Sequence, residues 1–198
     1  MTLVALIHAT PAAMAPAREA FAAAFPAARL WNLLDDRLIG DAEAAGGLTA
    51  PLRDRMTALI RYAIGGGADA VQLSCSMYGP VAATPFPVPV LASDGALFEE
   101  VARLRPGSVA VLGPTAAGLD DSVARLAAVA AGTEITGRQA TRDTVVQTVR
   151  TVAADVIVLG QFSLAPMHAA VQEVVSVPVL SAPRLAADRL RQLVGDVP

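Results

Sequence analysis

Apolar residues occur along the chain in short runs that alternate with longer, amphipathic stretches. The short runs are rich in Val, Ile and Leu, and most lack polar alternation, which is typical of strands buried on both faces of a parallel sheet. Strands are predicted at residues 3–7, 29–33, 70–73, 88–91, 109–112, 134–136, 156–159 and 177–180. Helices are predicted between them, at residues 16–24, 51–64, 96–104, 116–131, 142–152, 167–174 and 184–194. Strands that alternate with helices indicate an α/β protein built from βαβ units.

The pattern is repeated within the chain. The segment ADAVQLSCS at residues 68–76 is echoed 86 residues further on by ADVIVLGQF at residues 154–162. The segment VALIHAT at residues 4–10 has a similar counterpart, VAVLGPT, at residues 109–115. We therefore predict two pseudo-symmetric lobes, each with a parallel sheet flanked by helices. The first lobe is residues 1–92, the second is residues 93–180, and the C-terminal helix of residues 181–198 returns to the first lobe.

Composition narrows the classes of function. The chain has 198 residues, of which 54% are hydrophobic and 17% charged, enough to bury a full core. A net charge of −3 without a cluster of basic residues argues against a nucleic-acid surface. No apolar run approaches the roughly 20 residues that a membrane-spanning helix needs, and the first one lacks the preceding basic stretch of a signal peptide. We expect a cytoplasmic protein with no membrane or nucleic-acid partner.

Candidate chemistry lies where strands end, because ligands of open parallel sheets gather at the carboxyl ends of the strands. Cys75 follows one strand and is the only cysteine, so it cannot form an internal disulfide, and no cluster of residues has metal-ligand spacing. Its pKa can fall below the usual value of about 8.5 at a helix N-terminus, which would make the thiolate an effective base. The alternative is a passive, buried cysteine. The residues that directly follow four of the strands are therefore candidates: His8, Ala9, Thr10, Ser74, Cys75, Ser76, Gly113, Pro114, Thr115, Gln161, Phe162 and Ser163.

Through these segments the chain resembles the aspartate/glutamate/hydantoin racemase superfamily over nearly its whole length. The resemblance implies two α/β lobes with the active site between them, and proton transfer without a cofactor at a carbon beside a carboxylate. In that family each lobe contributes one cysteine. The first cysteine corresponds to Cys75, and the second corresponds to Gln161, whose amide is neither acid nor base at neutral pH. The chain is thus identified as a single-cysteine member, related to arylmalonate decarboxylase and maleate isomerase.

The resemblance implies a small-molecule substrate that carries a carboxylate, with Cys75 as the acid/base on one face of the reacting carbon. One-sided chemistry indicates an isomerase, a decarboxylase or a lyase. His8 is predicted as a second catalytic group because imidazole titrates near neutral pH, the alternative being a turn histidine bonded to the backbone. The predicted substrate-binding residues are Thr10, Ser74, Ser76, Tyr78, Thr115, Gln161 and Ser163.

Four alternatives stay open. The protein could be a classical amino-acid or hydantoin racemase with a second base other than cysteine, or a ligand-binding relative without catalysis. Tyr78 could line the pocket or simply pack, and Gln161 could bind substrate or serve as a structural amide. A homodimer or a higher homo-oligomer is expected from the resemblance alone.

Overall fold

The computed structural model describes residues 1–195, apart from the side chain of Ala117, and in that part of the chain eight strands form two four-stranded parallel sheets. The first sheet has the strand order β2-β1-β3-β4 and the second the order β6-β5-β7-β8. The strands are β1 Leu3–His8, β2 Arg29–Leu34, β3 Ala70–Leu73, β4 Val90–Leu91, β5 Ser108–Gly113, β6 Glu134–Gln139, β7 Val156–Leu159 and β8 Val179–Ser181.

Helices connect the strands in βαβ fashion. The α-helices are α1 Met14–Ala24, α2 Leu38–Ala44, α3 Ala50–Gly65, α4 Gly95–Leu104, α5 Ala116–Val129, α6 Val145–Val149, α7 His168–Gln172 and α8 Ala182–Val194. Three 3₁₀ helices, at Pro11–Ala13, Ser76–Ala83 and Phe162–Met167, follow β1, β3 and β7. The prediction of an α/β fold with two similar halves is confirmed.

Several predicted boundaries were wrong. The strands expected at 88–91 and 177–180 begin only at Val90 and Val179, after the prolines at 89 and 178. Proline has no N–H to donate to a ladder, although both proline carbonyls accept a hydrogen bond from the neighbouring strand. The helix α2 was missed because its seven residues are too few for a clear helical period.

The chain divides into two compact units. The first takes in Met1–Ser93 together with the segment that begins at Pro183, and the second is Asp94–Ala182. Helix α8 therefore belongs to the first unit from Pro183 onward, whereas β8 belongs to the second. Each unit has its own hydrophobic core between the sheet and its helices.

Equivalent hydrogen bonds recur in the two units. The Asp69 carboxylate accepts from the backbone N–H of Leu3 at 2.8 Å, and the Asp155 carboxylate accepts from that of Ser108 at the same distance. Leu6 pairs with Asn32 in the first sheet, as Val111 pairs with Gly137 in the second. The internal repeat is thus a repeat of backbone geometry, so positions in one unit can be matched to positions in the other.

Candidate functional site

Cys75 lies at the carboxyl edge of the first sheet, two residues beyond the end of β3. It is half-buried, its backbone is extended (φ −121°, ψ 122°), and it immediately precedes the 3₁₀ helix Ser76–Ala83. Pro80 lies inside this 3₁₀ helix, where it would interrupt an α-helical ladder. Ser76 is half-buried beside the thiol residue. The first N–H groups of a helix have no acceptor within it, so this turn offers donors to an anionic ligand.

His8 ends β1 and is fully buried. Its Nε2 atom lies 2.9 Å from Oδ1 of Asn32, and its Nδ1 atom lies 2.7 Å from Oγ of Ser74. Burial lowers the pKa of His8 below its ordinary value of 6.5, and the hydrogen bond to Asn32 opposes part of that shift. Both ring nitrogens therefore have protein partners, and a catalytic role for this histidine stays a prediction.

Ser74 joins β1 to the turn that carries Cys75. Its backbone N–H donates to the carbonyl of Ile7 at 3.0 Å, and its hydroxyl oxygen lies 2.9 Å from the same carbonyl. The residue is buried, with 8% of its surface exposed. It is placed next to the thiol residue but is held by protein groups.

Tyr78 lies in the core of the first unit, fully buried. Its hydroxyl donates to the carbonyl of Leu38 at 2.8 Å, which ties the turn after Cys75 to the start of α2. Burial, followed by the electrostatic interaction with Cys75, raises the pKa of Tyr78 to about 12. The proton of this hydroxyl is used within the protein, and a role of Tyr78 in substrate binding stays a prediction.

Thr10 follows β1 and precedes the 3₁₀ helix Pro11–Ala13. It is half-buried with an extended backbone, and its side chain makes no capping hydrogen bond. Its carbonyl accepts from the N–H of Ala13 at 3.3 Å. The structure thus places Thr10, Ser74, Cys75 and Ser76 at the same carboxyl edge of the first sheet.

A charged cluster borders this edge. The guanidinium of Arg55 on α3 pairs with the carboxylates of Asp35 and Asp41, each at 2.6 Å. The hydrogen bond from Arg55 lowers the pKa of Asp41. The backbone N–H of Asp35 donates to the carbonyl of His8, so the cluster attaches α2 and α3 to the end of β1.

In the second unit, Thr115 and Gln161 come together at the N-terminus of α5. The hydroxyl of Thr115 accepts from the backbone N–H of Gly118 at 3.3 Å. A Cβ atom built on Gly118 would lie 2.2 Å from Nε2 of Gln161 and 2.9 Å from Oγ1 of Thr115. The amide of Gln161 therefore occupies the space beside the glycine.

Ser163 lies in the 3₁₀ helix Phe162–Met167, one residue further along the chain than the helix start. It is half-buried, and its carbonyl accepts from Nε of Arg142 at 2.6 Å. That contact involves its backbone and leaves its hydroxyl to other roles.

Cys75 and Gln161 hold equivalent positions in the two units. Each directly precedes a 3₁₀ helix and follows the strand that pairs with the first strand of its sheet. The equivalence predicted from the repeat is thus present in the geometry of the backbone.

Two residues of these sites were missed in the sequence. Asn32 is a polar residue that interrupts the apolar run of residues 30–34 in β2, and that interruption was its only signal. Gly118 lies within the first turn of α5, where a glycine without a capping role has no local reason to occur.

Among residues 1–195, no group of three or more His, Cys, Asp or Glu side chains is arranged to hold a metal ion. Within the same range, no helix is both long enough and apolar enough to cross a membrane.

Solved structures with the same fold include three enzymes or enzyme homologues. Allantoin racemase from Klebsiella pneumoniae matches with a TM-score of 0.73 at 15% identity, covering 98% of this chain and 88% of its own. An aspartate racemase homologue from Pyrococcus horikoshii matches with a TM-score of 0.70 at 16% identity, and the match covers 98% of this chain and 99% of the homologue. Arylmalonate decarboxylase matches with a TM-score of 0.66 at 19% identity, and the match covers 99% of this chain and 94% of the decarboxylase.

No family model matches the sequence, and no curated protein is similar enough to count as a relative. The chain has the fold of the aspartate racemase homologue and of arylmalonate decarboxylase, over nearly the whole length of each. The resemblance noted in the sequence is confirmed at the level of the fold.

Proposed function

We propose that the protein is a cofactor-independent enzyme of the Asp/Glu racemase type, in which Cys75 transfers a proton at a carbon next to a carboxylate or carbonyl. The observation that carries the proposal is the equivalence of Cys75 and Gln161. The first unit has a thiol at a position where the second unit has a neutral amide. An amide acts neither as an acid nor as a base at neutral pH, so the acid/base chemistry is confined to one face of the carbon.

The reaction would proceed through an enolate. In an isomerisation or elimination, the Cys75 thiolate takes the α-proton, and the electron pair of the C–H bond moves toward the adjacent carboxylate. In an isomerisation, the Cys75 thiol then returns a proton to carbon as the enolate collapses. In an elimination, the enolate electron pair forms a C=C bond while the leaving group departs from the β-carbon with its bonding pair. In a decarboxylation, the C–C bond to a carboxylate breaks, carbon dioxide leaves, and the Cys75 thiol gives its proton to the α-carbon. Helix-start N–H groups and the hydroxyls of Thr10, Ser76 and Thr115 are suited to hold the negative charge that builds up on oxygen.

Gln161 and Thr115 would bind substrate in this scheme. The amide of Gln161 can donate to a carboxylate or accept from an N–H group. Its place beside Gly118 keeps the amide next to the N-terminus of α5, where helix N–H groups favour negative charge. The substrate would be a small molecule that carries a carboxylate. The composition favours a cytoplasmic location, and the resemblance to the racemases favours a homodimer or a higher homo-oligomer.

A substrate screen in deuterated water tests the proposal. The panel consists of aspartate, allantoin and arylmalonates, which the names of the three similar structures suggest, together with glutamate. The proton NMR signal at the α-carbon and chiral chromatography are followed together. We expect stereospecific deuterium uptake without loss of optical purity, and removal of a general acid/base by Cys75→Ala should slow it by a factor of about 10² to 10⁴. Unchanged turnover in Cys75→Ala would refute the role of the thiol.

Two further measurements separate the alternatives. The rate at which iodoacetamide alkylates Cys75 is recorded against pH, since an inert thiol favours a binding protein and a reactive one favours an enzyme. Gln161→Cys restores a second thiol, so this variant should racemise its substrate if the amide is what limits the wild type to one face. Full racemisation by the wild type would instead indicate a second base.

A further inference from the structure

A polar chain of three side chains runs beneath the Cys75 turn. Oδ1 of Asn32 lies 2.9 Å from Nε2 of His8, and Nδ1 of His8 lies 2.7 Å from Oγ of Ser74. The three residues lie on β2, at the end of β1, and directly before Cys75. They link the edge strand of the sheet to the turn that carries the thiol.

The donors and acceptors of these three side chains determine which nitrogen of the His8 ring carries the proton. The carbonyl oxygen of Asn32 can only accept, so Nε2 of His8 must carry a proton. In the neutral ring, Nδ1 is then an acceptor, and the Ser74 hydroxyl donates to it. The carbonyl of Ile7 lies 2.9 Å from the same hydroxyl and competes for its single proton. Because Nδ1 has no proton of its own in this tautomer, the shorter contact of 2.7 Å requires the hydroxyl to donate to the ring. Burial penalises the charged form of the His8 ring and therefore lowers the pKa of His8, which favours the neutral ring.

The second unit builds the same sheet without any of these groups. The positions equivalent to Asn32, His8 and Ser74 are Gly137, Gly113 and Gly160. The space is filled by apolar atoms there: Leu119 lies against the first two of these glycines, and Val111 lies against the third. The fold therefore does not require the polar chain, which occurs in the unit that has the thiol.

We propose that Asn32 and His8 are positioning residues that hold the Ser74 hydroxyl and so orient the turn that presents Cys75. The inference rests on the proposed role of Cys75 as the acid/base. Ser74 and Cys75 lie between the end of β3 and the following 3₁₀ helix, outside both elements. Their geometry therefore depends on contacts such as the bond from Ser74 to His8. Asn32 sets the tautomer of the ring, the ring sets the direction of the hydroxyl, and the hydroxyl restrains the backbone next to the thiol.

The tautomer can be measured directly on the wild-type protein. Long-range ¹H–¹⁵N spectra of histidine-labelled protein distinguish the two neutral tautomers and the cation, and the His8 signals are identified by their absence in His8→Asn. We expect neutral His8 with its proton on Nε2 at pH 7. A proton on Nδ1, or a cation at this pH, would overturn the inference without bearing on Cys75.

Matched variants test the positioning role. In His8→Asn the new side-chain oxygen lies near the position of Nδ1 and can still accept from Ser74, whereas His8→Gln reaches Asn32 but offers Ser74 no acceptor. We expect Ser74→Ala and His8→Gln each to change the alkylation rate of Cys75 on the order of fivefold, the factor for one lost hydrogen bond. The double variant should show no further change, and His8→Asn should stay close to the wild type.

Ser122→Ala is the control, because Ser122 is a buried serine of the second unit whose hydroxyl donates to the carbonyl of Gly118. It should leave the alkylation rate unchanged. Equal rates in His8→Asn and His8→Gln, or additive effects in the double variant, would overturn the positioning role. If a variant fails to fold, the tautomer of His8 in the wild-type protein still tests the positioning role. The proposed function is tested separately, because unchanged substrate turnover in Cys75→Ala would refute the catalytic role of Cys75 and not the positioning role.

Discussion

The side-chain amide of Gln161 occupies the place where a side chain on Gly118 would begin. A Cβ atom on that glycine would lie 2.2 Å from Nε2 of Gln161, closer than such atoms approach in proteins. Gly118 lies in the first turn of α5, and its backbone N–H donates to the hydroxyl of Thr115. The absence of a side chain at residue 118 therefore lets Thr115 and Gln161 share one site.

Gly118→Ala should displace the amide of Gln161 with little loss of stability. Alanine is favoured over glycine in a helix by about 1 kcal/mol, which offsets the cost of moving the flexible end of Gln161. The side-chain NH₂ signals of Gln161 in ¹H–¹⁵N spectra should shift, and chemical denaturation measures the free energy of unfolding. In a Gln161→Ala background the same substitution should be more stabilising, by roughly 1 kcal/mol. Additive free energies in the double variant would show that the two residues do not interfere.

Tyr78→Phe should destabilise the protein by about 1–2 kcal/mol. The phenylalanine ring fills the same core position, but the carbonyl of Leu38 loses the hydrogen bond from the tyrosine hydroxyl. Tyr62→Phe is the matched control, since the other tyrosine of the chain is 64% exposed and its replacement should stay within about 0.5 kcal/mol of the wild type. Urea denaturation of both variants measures the difference, and equal free energies would contradict the burial of the Tyr78 hydroxyl.

Gly66→Ala should be destabilising, whereas its neighbour Gly65→Ala should not. A Cβ atom on Gly66 would lie 2.5 Å from the ring of Trp31, a rigid side chain that cannot move aside cheaply. We expect a cost of about 1–3 kcal/mol, typical of overpacking. Nothing lies within 4 Å of a Cβ atom on Gly65, so alanine there should be neutral or stabilising by up to about 1 kcal/mol. Thermal unfolding of the two variants tests this, and the reverse order would contradict the packing of Trp31.

The free energy of unfolding should fall as the pH is lowered through and below 6.5. The folded protein holds His8 neutral because burial lowers its pKa from that ordinary value, so the unfolded chain takes up the proton first. The contribution of His8 to the free energy of unfolding is fully present above the pKa that His8 has in the unfolded chain. It is lost as the pH falls through the lower pKa that His8 has in the folded protein. One proton limits the slope to about 1.4 kcal/mol per pH unit. Denaturation of the wild type and His8→Asn over this range provides the measurement, and an unchanged slope in the variant would assign the effect to other groups.

The alternation of strands and helices could be predicted from the sequence, and so could the internal repeat that gives two similar halves. Runs of Val, Ile and Leu that lack polar alternation are a local property, and a parallel sheet buried on both faces requires them. The offset between ADAVQLSCS and ADVIVLGQF likewise identified Cys75 and Gln161 as equivalent. Both inferences needed only the order of residues along the chain, and the backbone geometry agrees with them.

The partners of these residues were decided by the tertiary structure. Asn32 and His8 are 24 residues apart, and His8 and Ser74 are 66 apart, so their contacts depend on the register between strands. Register is set by how whole strands pair, which a local pattern does not encode. The same holds for Gly118, whose significance lies in a side chain from the loop after another strand. Strand positions follow from local hydrophobicity, whereas the polar network around the thiol exists only once β1, β2 and β3 lie side by side.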